Sequence, residues 1–285
     1  MNGPRLSAWV WLGLAVCAVS SGSIFARLSG APSVLIAFGR CLLAALFFSG
    51  WLLVRRPAPL RTEDRKRVVA AGLALGVHLG AWIASLKLTT VGVSVLLVNT
   101  TPIWTLLARR SAPSGRDLLA TGLGFLGCAI AVSGALGGQS SWLGVVLALV
   151  GAVAMAVYVL VGQDLVQRVD LVQYVAGCYG TAASLLVIAA LAMRPPMAEL
   201  TWSGFGWIVA MTVFAQIVGH TLVNRSLGFI APHRVTLALM LEPLLASVAA
   251  WMVFGEALTW QLAVAFPLVL GGVGLVVGSR KSDIS

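Results

Sequence analysis

Charged side chains are scarce in this chain. Asp, Glu, Lys and Arg make up 10% of its 285 residues, whereas a typical soluble domain carries about 25%. Hydrophobic residues account for 59% of the chain, and the mean hydropathy is +0.98. This composition excludes an ordinary soluble enzyme or binding domain and predicts an all-α integral membrane protein.

The chain also lacks the patterns that hold metals and nucleotides. Its four cysteines, Cys17, Cys41, Cys128 and Cys178, are scattered through apolar runs and form no CxxC pair. The sequence contains neither HExxH nor GxxxxGK, the motifs typical of zinc peptidases and P-loop ATPases. We therefore expect no disulfide framework, no metal site and no cofactor.

Long apolar runs are what the chain has in abundance. A helix that crosses a bilayer needs about 20 consecutive, mostly apolar residues. Ten runs meet this rule: 8–27, 32–54, 67–87, 91–109, 116–136, 141–161, 172–193, 203–223, 231–253 and 259–278. The sequence therefore predicts ten transmembrane helices joined by short connections.

The basic residues are distributed unevenly between the connections of these ten runs. With the N-terminus in the cytoplasm, 15 Lys and Arg fall in cytoplasmic segments and only Arg27, Lys87 and Arg194 lie outside. Such an excess of positive charge is typical of the cytoplasmic side. We therefore predict cytoplasmic N- and C-termini, and a basic rim that contacts anionic membrane lipid rather than nucleic acid.

An internal repeat divides the chain into halves of five predicted spans. A shift of 141 positions aligns Ser85, Leu96 and Pro102 with Ser226, Leu237 and Pro243. Because each half contains an odd number of spans, the second half must be inverted relative to the first. Inverted repeats are typical of secondary transporters. We predict two repeats, 1–138 and 139–285, around a central cavity.

Polar side chains within the spans indicate where this cavity lies. His78 and Trp82 share one helical face, and Gln216, His220 and Asn224 form a second stripe. Because polar groups are costly in lipid, such stripes face protein or water. Two interpretations stand side by side: the stripes line a cavity, or their hydrogen bonds simply hold helices together.

Two prolines occupy equivalent positions in the halves, Pro102 and Pro243. Each removes a backbone hydrogen bond and predicts a kink. Interrupted helices at matching positions indicate a central binding site.

Arg40 and Glu242 are the clear charges deep within predicted spans. An unpaired charge at this depth is expensive, so the sequence favours an ion pair between them with a structural role. The alternative is that Glu242 carries a coupling proton.

Several short segments stand out in the spans: Leu241–Ala246 followed by Phe254-Gly255-Glu256, Asn99–Pro102, Phe38-Gly39-Arg40 and Gly271-Gly272-Val273. Together they resemble the drug/metabolite transporter superfamily in its EamA-type branch. The resemblance implies a bacterial inner-membrane carrier of ten helices, built from two inverted five-helix halves around a cavity. Members often export amino acids and related metabolites.

The segment around Asn99 is also similar to that of aromatic amino acid exporters in this family. The match is partial, because Thr101 precedes the proline where an aromatic residue is expected. Pro267 stands where members often have a small residue. The aromatic preference is thus less firmly indicated than the fold.

The leading hypothesis is an exporter that works by alternating access and is not an enzyme. Trp82 and Tyr158 would offer flat apolar surfaces to an amino acid side chain. Asn99, His78 and His220 would bond its amino and carboxylate groups. The predicted substrate-binding residues are His78, Trp82, Asn99, Pro102, Tyr158, His220 and Pro243.

Two other functions remain open. One is the export of organic cations, for which Glu242 would supply a membrane carboxylate. A more remote one is an intramembrane enzyme, because Gly92-Val93-Ser94-Val95 resembles a membrane serine protease segment. The sequence does not specify the substrate, the coupling ion or the oligomeric state.

Overall fold

The computed structural model describes residues 3–89, 91–108, 112–133, 141–255 and 257–277, and within them the regular structure is helical throughout. Arg109, Arg110, Arg280 and Lys281, which enter the predicted orientation, lie outside the described residues, as do 134–136 and 278 of the predicted spans. The α-helices are α1 Gly3–Ser29, α2 Ser33–Arg55, α3 Thr62–Leu88, α4 Val91–Val98, α5 Thr101–Leu107, α6 Gly115–Ser133, α7 Trp142–Leu165, α8 Leu171–Met193, α9 Trp202–Met211, α10 Thr221–Leu227, α11 Pro232–Leu239, α12 Glu242–Phe254 and α13 Trp260–Val277.

Among the described residues, eight helical stretches are long and apolar enough to cross a membrane. They are Ser7–Ser29, Ser33–Arg55, Thr62–Leu88, Trp142–Leu165, Leu171–Met193, Trp202–Leu227, Pro232–Phe254 and Trp260–Val277. A shorter apolar helical stretch, Leu96–Leu107, lies between the third and the fourth of them. The prediction of an all-α, multi-pass membrane protein is confirmed.

Contacts between helix ends define two faces of the bundle. At one face, Arg168 at the end of α7 pairs with Asp64 at the start of α3, with 3.3 Å between Nη2 and Oδ1. At the other, the amide of Ser141, before α7, donates to Leu88 O at the end of α3. The two helices are therefore antiparallel. We call the face where α1 and α3 begin the N-terminal face and the other the opposite face.

Small residues allow the helices around α3 to approach closely. A Cβ added to Gly72 would lie 2.6 Å from Cβ of Thr181 and 2.7 Å from the carbonyl oxygen of Cys178. A larger residue at this position would push α3 away from α8. Since α3 also packs along α7, it anchors the part of the bundle that carries His78 and Trp82.

Two spans are broken near their middle, at equivalent places in the halves. α4 ends at Val98 and α5 begins at Thr101, while α11 ends at Leu239 and α12 begins at Glu242. Pro102 and Pro243 lie in the first turn of the second segment, where the missing N–H of proline is tolerated. The predicted kinks are confirmed, and each is a full interruption of the helix.

A third irregularity joins α9 to α10. Residues Thr212–His220 form a π-helix, so that the stretch Trp202–Leu227 is a single rod with widened turns. Such segments are rare and occur often at functional sites. The widened turn contains both Gln216 and His220, the first two members of the predicted polar stripe.

Candidate transport cavity

A cavity lies where the two broken spans meet the middle of α1, α2, α3 and the end of the π-helix. Its walls include five of the seven residues that the sequence singled out: His78, Trp82, Asn99, His220 and Pro243. They come from both halves of the chain. The fold thus brings these five side chains together in one space, and their contact with a substrate stays a prediction.

The other two predicted residues lie away from the cavity. Pro102 is buried in the first turn of α5 and does not line it. Tyr158 is fully buried, and its hydroxyl accepts a hydrogen bond from Nδ2 of Asn224 at 2.6 Å. Its ring stacks on Tyr174, with 6.3 Å between centroids. Tyr158 therefore joins α7 to α8 and α10, and it offers no surface to a molecule in the cavity.

His78 and Trp82 form one wall as a parallel pair of rings. Their centroids are 6.2 Å apart and their planes differ by 8°. The Nδ1–H of His78 donates to the carbonyl oxygen of Gly151 at 2.9 Å, so Nε2 of the neutral ring is an acceptor. The His78 ring thus bonds to a neighbouring helix and also lines the cavity, and its contact with a substrate stays a prediction.

Arg40 is a cavity residue that the sequence assigned to a structural pair. It is 2% exposed, and its Nε donates to Oε1 of Gln216 at 2.8 Å. Gln216 is in turn held by its backbone, because the hydroxyl of Tyr179 donates to its carbonyl oxygen at 3.3 Å. The guanidinium is therefore fixed from one side by the π-helix.

Glu242 lines the same cavity from the first residue of α12. The predicted Arg40–Glu242 ion pair was wrong for this state. Among the described residues, the ion pairs found involve Asp64, Asp117 and Asp164, and none joins these two residues. The physical reason is that Gln216, one helix away, offers Arg40 a nearer neutral acceptor. The cavity thus contains an arginine and a glutamate that form no ion pair with each other.

Two buried polar atoms of residues that line the cavity have no hydrogen-bond partner among the described residues. They are Nε1 of Trp82 and Nδ1 of His220, and both side chains line the cavity. Buried polar atoms without a partner are unusual and costly. A polar molecule held in the cavity would offer them partners.

The cavity is closed towards the N-terminal face. α5 and α11 pack together there, and the hydroxyls of Thr105 and Thr236 lie 3.1 Å apart. Closer to the surface, Asp117 of α6 contacts His233 at 3.3 Å and Arg234 at 3.5 Å, all three side chains being buried. These polar contacts thus join the two halves of the chain between the cavity and the N-terminal face.

The opposite face differs. α4 and α12 are the parts of the broken spans that lead there, and Phe254 at the end of α12 lies under Arg27 at the end of α1. Within the described residues, α4 and α12 do not pack on each other as α5 and α11 do. Among the described residues, the two broken spans therefore pack on each other through α5 and α11, and not in the same way through α4 and α12.

Neither a metal site nor a serine nucleophile emerges from the described side chains. No group of three or more His, Cys, Asp and Glu there could hold a metal ion. Ser94 is buried, and its hydroxyl is hydrogen bonded to that of Ser85. A serine nucleophile needs a neighbouring base, and Ser85 is not one.

Sequence reasoning missed part of the lining. Ser23, Thr101 and Thr236 also line the cavity, but each looks like an ordinary helix hydroxyl in the sequence. A usable signal existed for Thr101, because the repeat aligns it with Glu242. Ser23 and Thr236 gave no signal of this kind.

Comparison with known proteins adds the family. The model of the EamA-like transporter family matches the chain twice, over residues 6–133 and 142–278. The chain belongs to this family. It is accordingly a multi-pass membrane transporter of small molecules, and members of the family are generally not enzymes.

A solved structure extends the likeness to the fold. The EamA-like chain is similar to a protein known from a crystal structure, with 19% identity, a TM-score of 0.78, and coverage of 95% of this chain and 96% of the other. At that identity the likeness concerns the fold alone. No curated protein matches the chain.

Proposed function

We propose that the protein is a secondary transporter that exports amino acids across the bacterial inner membrane by alternating access. It would cross the membrane ten times, as two inverted five-helix repeats at 1–138 and 139–285, with cytoplasmic termini. The observation that carries the proposal is the cavity between two broken helices, because interrupted helices at matching positions are where such carriers bind substrate.

The division into repeats is supported by two independent features. The family model matches once in each half, and the two breaks fall at positions that a shift of 141 relates. The cytoplasmic assignment of the N-terminal face is supported by its basic residues, such as Arg67 and Arg168, which pair across it with Asp164 and Asp64.

Alternating access is supported by the difference between the two faces. In each state of an alternating-access carrier, the helices close the binding site towards one face of the membrane and leave it open towards the other. The packing of α5 on α11, without a counterpart between α4 and α12, is what one such state requires. The reverse state would separate Thr105 from Thr236.

An amino acid is supported by the mixed character of the walls. The Trp82 ring offers an apolar surface, Nε2 of His78 offers a hydrogen-bond acceptor, and the polar residue Asn99 lines the same cavity. Pockets for small metabolites combine such apolar walls with a few placed polar groups. An aromatic side chain stacked on Trp82 is the finer version of this proposal.

Organic cation export is the second candidate function. The observation that favours it is the Glu242 carboxylate, which lines the cavity and receives no hydrogen bond from the described residues. A cationic drug would meet that charge directly.

Flux into or out of liposomes tests the proposal. Purified protein is reconstituted and loaded in turn with radiolabelled tryptophan, phenylalanine, methionine and threonine, with and without a proton gradient. Saturable flux of any of them is expected. Flux no higher than in empty liposomes for the whole set would contradict the amino acid proposal and turn attention to cations.

The binding wall is tested by a double variant. His78→Ala combined with Trp82→Ala removes the stacked rings, and we expect flux to fall about tenfold or more, because an apolar wall and an acceptor are lost together. Trp142→Ala, at an exposed helix start, is the matched control. Flux equal to wild type in the double variant would remove this wall from the site.

A further inference from the structure

Arg40 and Glu242 both line the cavity and form no ion pair with each other. We propose that Arg40 and Glu242 are a divided recognition pair: Arg40 binds the carboxylate and Glu242 the ammonium of one zwitterionic substrate. The inference rests on the proposed function, since it assumes that the cavity holds an amino acid, and it names the groups that select one.

Arg40 has donors left for a ligand. A guanidinium carries five N–H donors in a planar fork that matches a carboxylate. One of them, on Nε, is taken by Gln216. Among the described residues no acceptor takes the terminal nitrogens, and the side chain lines the cavity. The fork therefore faces the space in which a substrate carboxylate would lie.

Glu242 is placed to receive a positive group. It begins α12, directly after the break, and the positive end of a helix stabilises an ionised carboxylate. No donor among the described residues bonds to it, and no ion pair involves it. An ammonium group in the cavity would satisfy this carboxylate.

The separation of the charges is maintained by Gln216. Without an acceptor for its Nε, Arg40 would be drawn to Glu242, and the resulting ion pair would compete with a ligand for both side chains. The bond to Oε1 at 2.8 Å, on a π-helix turn whose carbonyl is itself bonded by Tyr179, holds the guanidinium away. Gln216 is thus a positioning residue.

The pair explains selection by charge. A single charge buried at membrane depth is costly unless it is matched. A zwitterion matches both residues, whereas a cation leaves Arg40 unmatched and an anion leaves Glu242 unmatched. A simple organic cation would match Glu242 but leave Arg40 unmatched, and the pair therefore disfavours it.

The test uses phenylalanine and two derivatives in the liposome assay. Phenylalanine amide lacks the carboxylate, and N-acetylphenylalanine lacks the ammonium group. If another amino acid of the panel is carried better, its amide and its N-acetyl form replace these two. We expect wild-type protein to carry the free amino acid at least about tenfold faster than either derivative, because each derivative leaves one buried charge unmatched.

Two single variants give a crossed pattern. In Arg40→Gln, the discrimination against the amide should disappear while that against the N-acetyl form persists. In Glu242→Gln, the reverse should hold. Ser203→Ala, at an exposed position in the first turn of α9 and outside the cavity, should leave both discriminations as in wild type. Misfolding cannot produce opposite patterns in the two variants.

The outcomes separate this inference from the proposed function. Carriage of the free amino acid and both derivatives at equal rates by wild-type protein would overturn the inference alone, without any variant. Faster carriage of the amide would overturn it in favour of a cation transporter. Failure to carry any amino acid of the panel would overturn the proposed function and the inference with it.

Discussion

The two broken spans share a geometry but differ in chemistry. In the first half the break is neutral, and the hydroxyls of Thr100 and Thr101 donate to their own backbone, at 2.7 Å to Leu97 O and 2.8 Å to Val98 O. In the second half the equivalent of Thr101 is Glu242, whose carboxylate points to no backbone donor among the described residues. Duplication gave both halves a break, and only one of them a charge.

The same contrast holds for the positive charge. Arg40 has Thr181 as its equivalent in the second half, and Thr181 packs against Gly72 between α8 and α3. One copy of the position therefore serves the cavity and the other serves helix packing. Residues that are alike in the two halves place the spans, whereas residues that differ between the halves supply the chemistry of the site.

The largest effect on flux is expected when the two breaks are made alike. Glu242→Thr gives the second break the residue of the first. We expect flux of the carried amino acid to fall about tenfold or more, since a charge-matched contact is lost. Thr101→Ser, which keeps the hydroxyl of the first break, is the control and should stay near wild type. Unchanged flux in Glu242→Thr would mean that the charge difference between the breaks is not functional.

A smaller effect is expected from removing the prolines. Pro243→Ala should slow flux several-fold, because α11 and α12 can then join into one helix and shift Glu242. Pro102→Ala should slow it less, since the threonine hydroxyls continue to hold the first break. Initial rates of the two variants, measured at equal amounts of reconstituted protein, test this order. The opposite order would show that the first break controls the cycle.

Releasing the Arg40 side chain from Gln216 should lower the affinity for the substrate. Gln216→Leu removes the acceptor that holds its Nε, so we expect KM to rise a few-fold with little change in maximal rate. The concentration dependence of flux measures both. Gln216→Asn, which retains an amide, is the matched variant and should restore part of the affinity. A fall in maximal rate at constant KM would instead assign Gln216 to helix movement.

The smallest effect on flux is expected at Tyr158. Tyr158→Phe loses the bond from Asn224 outside the cavity, and such bonds stabilise membrane proteins by about 0.6 kcal/mol. We expect a slightly lower melting temperature in detergent and wild-type flux. If Tyr158→Phe reduced flux as strongly as the His78→Ala/Trp82→Ala double variant does, Tyr158 would belong to the substrate-binding residues after all.

The sequence indicated the architecture better than the partners of individual side chains. Pro102 and Pro243 predict breaks because proline acts on its own helix. The partner of Arg40 depends on which helix lies nearest, and the contact of α2 with the π-helix is not a local property. The surroundings of Tyr158 could not be predicted for the same reason, since the stacking of its ring on Tyr174 of α8 is not a local property either.

The polar stripe of α9 and α10 shows a second limit. Gln216, His220 and Asn224 were expected on one face from a spacing of four residues, which assumes regular α-helical turns. The π-helix over Thr212–His220 widens those turns, and the three side chains serve Arg40, the cavity and Tyr158 respectively. Cavity lining and helix association were both correct interpretations, for different members of the stripe.

The central claim, that the space between the two broken spans holds the substrate, is tested most directly by protection of a single thiol. Ser23→Cys lies in the cavity wall, and Ser203→Cys is exposed at the start of α9. Each is made in a chain whose four native cysteines are replaced by alanine, and its reaction with a water-soluble thiol reagent is timed with and without the carried amino acid. The account predicts slower labelling at position 23 and unchanged labelling at position 203. Equal labelling rates at position 23 at saturating substrate would contradict it.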